Sequence, residues 1–302
     1  MSLEDKQKLF FNLSGLVRDL RESRESTHKI RHLGRVRELP SRAELESVLE
    51  GLFAALFPTH YGRPDLTDGD IDYFVGDVLN RTLKKLAEQV RRGLYFVAEE
   101  NLSNEDQFNQ KAKDLTKEFA ESLPHIRALI VSDVRAAMSG DPAAASVSEI
   151  LLCYPGVNAT IHYRIAHTLY QLGSPLLARF ISEIAHSKTG VDIHPGASID
   201  EGFFIDHGTG VVIGQTAVIG KHVRLYQAVT LGAKRFPADE QGHLIKGQAR
   251  HPIVEDEVVI YAGATVLGRV TIGARSTIGG NVWLTHSVPS DSNISQAQML
   301  SH

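Results

Sequence analysis

Two hydrophobic rhythms divide the chain. From Val191 to about Leu284 the apolar residues recur every six positions. Ile193, Ile199, Ile205 and Val211 hold this step. After a two-residue shift, Ile213, Ile219, Leu225 and Leu231 resume it. Beyond Pro252 the run Val254, Ile260, Val266, Ile272, Ile278 and Leu284 continues without a slip. Small or β-branched residues follow four places later at Val258, Ala264, Val270 and Val282. A period of six belongs neither to an ordinary strand nor to a helix. It marks a parallel β-helix, in which each hexapeptide makes one short strand and one turn, with the apolar position inward. The period alone leaves the hand of the coil open.

Before that stretch the spacing is helical. Pro40-Ser41 opens a helix with Leu45, Val48, Leu49, Leu52 and Leu56 on one face. Residues 58–70 read as a turn-rich connector. Ile71, Val75, Val78, Leu79, Leu83, Leu86, Val90, Leu94 and Val97 predict a long amphipathic helix. A polar helix is expected from about Asn104, and a separate one from Pro124 to Met138. Ser139-Gly140-Asp141-Pro142 breaks the pattern. Val157, Ile161, Ile165, Leu169 and Leu172 mark the next helix, and Pro175 to about His186 the last. The expected architecture is therefore α+β in two domains, an all-α region over 1–189 and a β-helix over 190–302. Within the coil, residues 235–251 are rich in Gly and polar residues and read as a loop thrown outward, where binding groups often sit.

Composition narrows the classes without choosing among them. The 302 residues are 42% apolar and 23% charged, ordinary for a globular protein. A formal net charge of −4 gives no general attraction to nucleic acid. Arg18 to Arg42 holds eight basic and four acidic residues, read as a solvated helix face plus linker rather than a contact arm. Cys153 is the sole cysteine, so there is no disulfide framework, and a cytoplasmic setting is expected. The N-terminus reads without a signal peptide, and no stretch is apolar enough to span a membrane.

Candidate chemistry lies in the first coils. Asp192 precedes Asp206 and His207 by fourteen and fifteen residues. A coil takes about eighteen residues, which brings these positions near each other. A carboxylate beside an imidazole fixes its tautomer and stabilises the cation, so the pair suits a general base. A turn decorated with polar residues is the alternative, and spacing does not separate the two.

The blocks VDIHPGA, DHGTGVVIGQTAVIG, LYQAVTLGA and ARHP, with DPAA upstream, resemble serine O-acetyltransferases of the hexapeptide acyltransferase superfamily over residues 133–288. The resemblance implies a left-handed coil. It implies His207 as catalytic base, oriented by Asp192. It implies Asp141, Asp206, Arg250 and His251 as the amino-acid site. Gly232, Ala233, Ala262, Gly263 and Gly280 would line the groove for acetyl-CoA. The family implies trimers or dimers of trimers, and feedback by L-cysteine. No metal is expected, and His194 is read as structural.

Three departures stand out. Ala233 replaces a second glycine, the loop before Arg250 is longer, and the segment after Leu284 is short. Docking of the tail to O-acetylserine sulfhydrylase is therefore doubtful, since the sequence ends Met299-Leu300-Ser301-His302. Two other readings compete. One is a hexapeptide acetyltransferase for homoserine or a sugar. The other is a metal hydratase of the γ-carbonic-anhydrase kind, drawing on His194, His207, His222, His243, His251 and His286.

Overall fold

The computed structural model describes residues 12–27, 31–32, 35–36, 38–97, 105–235, 239, 241–245 and 247–296. The C-terminal residues 299–302, on which the tail reading rests, lie outside the described residues.

The first helix, α1, is Leu13–Thr27. A minimal antiparallel pair follows, β1 (Arg31–His32) and β2 (Arg35–Val36), where the sequence pattern had indicated only helix and linker. Next come α2 (Arg42–Leu56), α3 (Pro58–Tyr61) and α4 (Ile71–Val97). Ser41 caps α2 as expected, its hydroxyl accepting the Glu44 N–H. The two helices expected around Pro124 are one continuous helix, α5 (Glu105–Gly140). Proline removes one backbone donor and should break a helix interior. Here Phe119, Leu123, Ile126 and Ile130 form an unbroken buried stripe on both sides of it, and packing outweighs the local cost. A short helix, α6 (Val147–Cys153), was not anticipated; Ser146 caps it. Then come α7 (Pro155–Gln171) and α8 (Pro175–Thr189).

From Asp192 the chain winds as a three-sided coil. The first turn contributes β3 (Asp192–Ile193), β4 (Ser198–Ile199) and β5 (Phe204–Ile205). The second contributes β6 (Val212–Ile213), β7 (Val218–Ile219) and β8 (Arg224–Leu225). The third holds β9 (Thr230–Gly232), β10 (Ile253–Val254) and β11 (Val259–Ile260). The fourth holds β12 (Thr265–Leu267), β13 (Thr271–Ile272) and β14 (Thr277–Ile278). Strands β15 (Trp283–Leu284) and β16 (Asn293–Ile294) finish it. Three parallel sheets result, in the orders β3-β6-β9-β12-β15, β4-β7-β10-β13 and β5-β8-β11-β14-β16. They are called the first, second and third faces below.

Register explains the period. Ile193 stacks on Ile213, Ile213 on Leu231, Leu231 on Val266 and Val266 on Leu284, all buried. Each such side chain contributes roughly 1.5–3 kcal/mol on burial. The loop 235–251 leaves the corner between the first and second faces and returns at β10 without disturbing this column.

The helical region is bolted to the coil. The Ala159 and Tyr163 side chains of α7 belong to the coil's core, and Phe204 of β5 belongs to the helical core. At Gly156 a β-carbon would lie 2.1 Å from the Ile205 carbonyl oxygen, so glycine alone allows α7 this approach. Buried Asp133 of α5 accepts Arg164 Nε and Nη2 of α7 at 3.1 and 3.0 Å, and the Phe203 N–H at 2.9 Å. The same arginine donates to the carbonyls of Ile199 and Asp200. One buried ion pair thus joins two helices to the first coil.

Candidate active site

Five residues before β6 opens the second coil, at His207, the hexapeptide rhythm is broken. Asp206 still pairs with the coil above, its N–H donating to the Leu225 carbonyl at 2.9 Å. Gly210 already lies against Ala228. The extra residues that produce the two-residue shift therefore fall between them, at His207 and its neighbours. His207 adopts φ +58°, a left-handed conformation that costs a non-glycine residue energy. Its imidazole projects from the corner between the third and first faces, 68% exposed, with Nε2 3.9 Å from the Asp206 carboxylate.

Asp141 reaches this corner from the end of α5. Its Oδ1 accepts the Ala143 N–H at 2.8 Å, and its Oδ2 accepts the Tyr154 hydroxyl at 2.5 Å. The Tyr154 bond holds the Asp141 carboxyl below its usual range, and the charges of His207 and Arg224 add to the effect. The structure thus gathers Asp141, Asp206 and His207 at one corner, with Tyr154 and Arg224, two groups that no sequence motif flagged.

Arg250 and His251 sit elsewhere, at the corner between the first and second faces where the 235–251 loop returns. Backbone N–H groups of Arg250 and His251 both donate to Thr216 Oγ1, at 2.9 and 3.1 Å. The Thr216 N–H donates to His251 Nδ1 at 3.1 Å, which leaves the proton of the neutral ring on Nε2. Burial pushes His251 down to about 4, with Arg250 and Arg269 contributing, so the ring is neutral at pH 7. Arg250 Nη2 donates to Gln215 Oε1 at 3.2 Å. His194 is at the same corner, pushed down to about 4 mainly by burial, with its Nδ1 accepting the Gly196 N–H at 2.9 Å.

Asp192 stands on the outer surface of the first face. Its carboxylate lies within 4.8 Å of ligand atoms of Glu183 and His186 at the end of α8. Among the described residues, no hydrogen bond or ion pair joins it to His207. Register places Asp192 at the start of the first face, opposite Val212, with its N–H donating to the Val211 carbonyl at 2.9 Å, four residues past His207. That trio is the one group of three potential metal ligands among the described residues, and none of the six histidines a hydratase would draw on belongs to it.

Comparison with known proteins identifies the arrangement. Residues 74–160 match the family model described as serine acetyltransferase, N-terminal. Residues 251–286 match bacterial transferase hexapeptide (six repeats). A relative from Synechococcus elongatus, named "Serine acetyltransferase, plasmid", is 60% identical over 266 residues, covering 87% of this chain and 83% of its own. The chain belongs to the serine acetyltransferase family.

Solved structures of the serine acetyltransferase family agree with this. Serine acetyltransferase 1 of Entamoeba histolytica, in complex with L-cysteine, superposes with a TM-score of 0.72 at 38% identity, over 82% of this chain and 86% of that one. A serine acetyltransferase in complex with CoA gives 0.53 at 27% identity, over 82% and 96%. With this membership the coil is a left-handed parallel β-helix preceded by helices.

The expected cofactor positions divide as the substrate positions do. Gly232 ends β9 and Ala233 follows it, at the Arg250 corner. Ala262, Gly263 and Gly280 lie at the His207 corner, where the Asn281 N–H donates to the Ala262 carbonyl. Beside Arg250 a cleft of about 720 Å³ is bordered by Lys234, Arg235 and Arg269. Among the described residues, no helix is long and apolar enough to cross a membrane.

Proposed function

We propose that the chain transfers the acetyl group of acetyl-CoA to the hydroxyl of L-serine, and that neighbouring copies complete one another's sites. The observation that carries this is the division of the site. Asp141, Asp206 and His207 occupy one end of the first face, and Arg250 and His251 the other. A serine molecule is too small to reach both ends of one chain. Packing the His207 corner of one copy against the Arg250 corner of the next brings the halves together. Repeated cyclically, such a contact closes into a ring, and a trimer suits a three-sided coil. The exposed outer side chains of Val212 and Trp283 on the same face give the neighbour apolar surface to cover.

In that site Asp141 and Asp206 receive the ammonium group, and the Arg250 fork receives the carboxylate. The serine hydroxyl then lies at His207. The imidazole removes its proton as the oxygen attacks the thioester carbonyl, and the imidazolium returns the proton to the leaving thiolate. No acyl-enzyme forms, and atoms balance as O-acetyl-L-serine plus CoA. General-base catalysis of this kind is worth roughly 10²–10⁴ in rate, and positioning of the two substrates supplies much of the rest. Asp192, which the family resemblance makes the orienting carboxylate, opens the first face beside the His207 corner and is assigned the same role here. Lys234, Arg235 and Arg269 offer cations to the phosphates of CoA, and the small residues at both corners admit its pantetheine arm. L-Cysteine, the same zwitterion with a thiol, fits the site as a feedback inhibitor. The reaction is placed in the cytoplasm, where one unpaired cysteine is unremarkable.

Thiol release from acetyl-CoA with L-serine, L-homoserine and glucosamine as alternative acceptors tests the acceptor directly. Serine should exceed the others in kcat/KM by at least tenfold. Equal or greater turnover with the sugar would replace this reading.

A further inference from the structure

The carboxylate of Asp141 is unusually constrained for a group at a protein surface. One oxygen takes the Ala143 N–H within its own turn. The other takes the hydroxyl of Tyr154. Tyr154 is the residue that joins α6 to α7, and as the N-cap of α7 its side chain accepts no capping bond from the helix N–H groups. Its hydroxyl is thus not spent on the helix; it donates to Asp141.

The charged groups around this pair come from three places in the fold. Arg224, on β8, lies 5.6 Å above the Phe204 ring. Its Nη2 sits where a β-carbon on Gly140 would be, 2.3 Å away, so the guanidinium passes directly beside the residue preceding Asp141. His207 and Asp206 face the pair from the coil's corner, and Glu149 from α6. An aspartate here could rotate toward Arg224 and form an ordinary ion pair. Instead no hydrogen bond joins them, and the tyrosine holds the carboxylate facing the His207 corner.

We infer that Tyr154 is a positioning residue for substrate: its hydroxyl locks the Asp141 carboxylate in the orientation that receives the ammonium of the amino acid and keeps it from collapsing onto Arg224. This deepens the functional reading above and rests on it. The lock does not touch the hydroxyl of serine or the thioester. Its effect therefore lies in binding the zwitterion and not in the chemical step, and it applies equally to any ligand with the same ammonium and carboxylate. The depressed ionisation of Asp141 and the raised one of Tyr154, pushed up to about 12 by that bond, agree with a tyrosine that stays a donor and a carboxylate that stays charged.

The test is Tyr154→Phe in the full-length protein, which keeps the ring and removes only the hydroxyl. KM for L-serine should rise about five- to tenfold, the scale of a hydrogen bond to a charged group acting at one remove. The kcat value and the KM for acetyl-CoA should change less than twofold. The inhibition constant for L-cysteine should rise by the same factor as KM for serine. In an Asp141→Ala background, adding Tyr154→Phe should change KM no further. A general structural role would instead lower the melting temperature and disturb kcat and both KM values together. Tyr154→Phe with an unchanged KM for serine, or with an additive effect in the Asp141→Ala background, overturns the inference. If the parent protein itself shows no turnover of serine, it is the functional reading that fails.

Discussion

His207 and Arg250 stand at opposite ends of one parallel sheet, His207 before β6 and Arg250 at the corner that follows β6 and β9. In the proposed site these groups meet around one small amino acid, yet within one chain the width of a coil face holds them apart. Two chains, each lacking one of them, should therefore repair each other. His207→Ala and Arg250→Ala proteins, inactive alone, should recover about a quarter of parental turnover when unfolded together and refolded as mixed rings, since one junction in four pairs two intact halves. Mixtures as inactive as the single variants would show that each chain holds a complete site.

The buried pair of Asp133 and Arg164 fixes the helices to the first coil, and each partner depends on the other. Arg164→Met leaves the Asp133 carboxylate buried without its counter-charge and should lower stability by about 3–5 kcal/mol. The double variant Asp133→Leu with Arg164→Met should recover much of that loss, because two apolar groups need no compensation. Urea midpoints for the three proteins decide it. An Arg164→Met protein within 1 kcal/mol of the parent, on the order of a surface change, would contradict the bolt.

Three histidines should make the protein sensitive to mild acid. Burial, the leading cause in each case, pushes His162, His194 and His251 down to about 4. Free histidine titrates near 6.5, so between these values the unfolded chain binds protons that the folded one refuses. The stability these neutral rings provide is complete above about pH 6.5 and is lost as pH falls toward 4. Urea midpoints should fall steadily from pH 7 to pH 4.5, and His162→Gln should flatten the slope. A midpoint independent of pH across that range would contradict the burial of neutral rings.

Inhibition by L-cysteine should be competitive with L-serine, because both present one ammonium and one carboxylate to Asp141, Asp206 and Arg250. Raising serine should relieve it fully. Inhibition that survives saturating serine would place cysteine at another site.

Much of the fold was legible in the sequence because a coil repeats its own register. Ile193, Ile213 and Leu231 had to be apolar to share one column, and the six-residue period followed. The helices were legible wherever a capped apolar stripe stood alone, as in α2. Pro124 marks no helix boundary because the buried stripe on both sides of it outweighs the local cost of the proline. Among the candidate site residues, the spacing placed Asp192 near Asp206 and His207; in the structure Asp192 opens the first face beside that corner, and among the described residues no hydrogen bond or ion pair joins it to His207. The spacing did not reveal that Arg250 belongs to the other corner, since distance along a coil does not tell which face a loop leaves from. Nor did it indicate that Asp192 turns toward Glu183 and His186. Tyr154 and Arg224 escaped notice for a simpler reason: neither lies in a motif, and only the approach of α5 and α7 to the coil brings them to Asp141.

The most direct measurement is thiol release from acetyl-CoA with L-serine by the parent and by His207→Ala at pH 7.5. The parent should turn over, and His207→Ala should lose roughly 10²–10⁴ in kcat while keeping the parental circular dichroism and oligomer mass. Asp192→Asn should lose less, since the imidazole remains. A His207→Ala protein turning over within a few-fold of the parent would contradict the account.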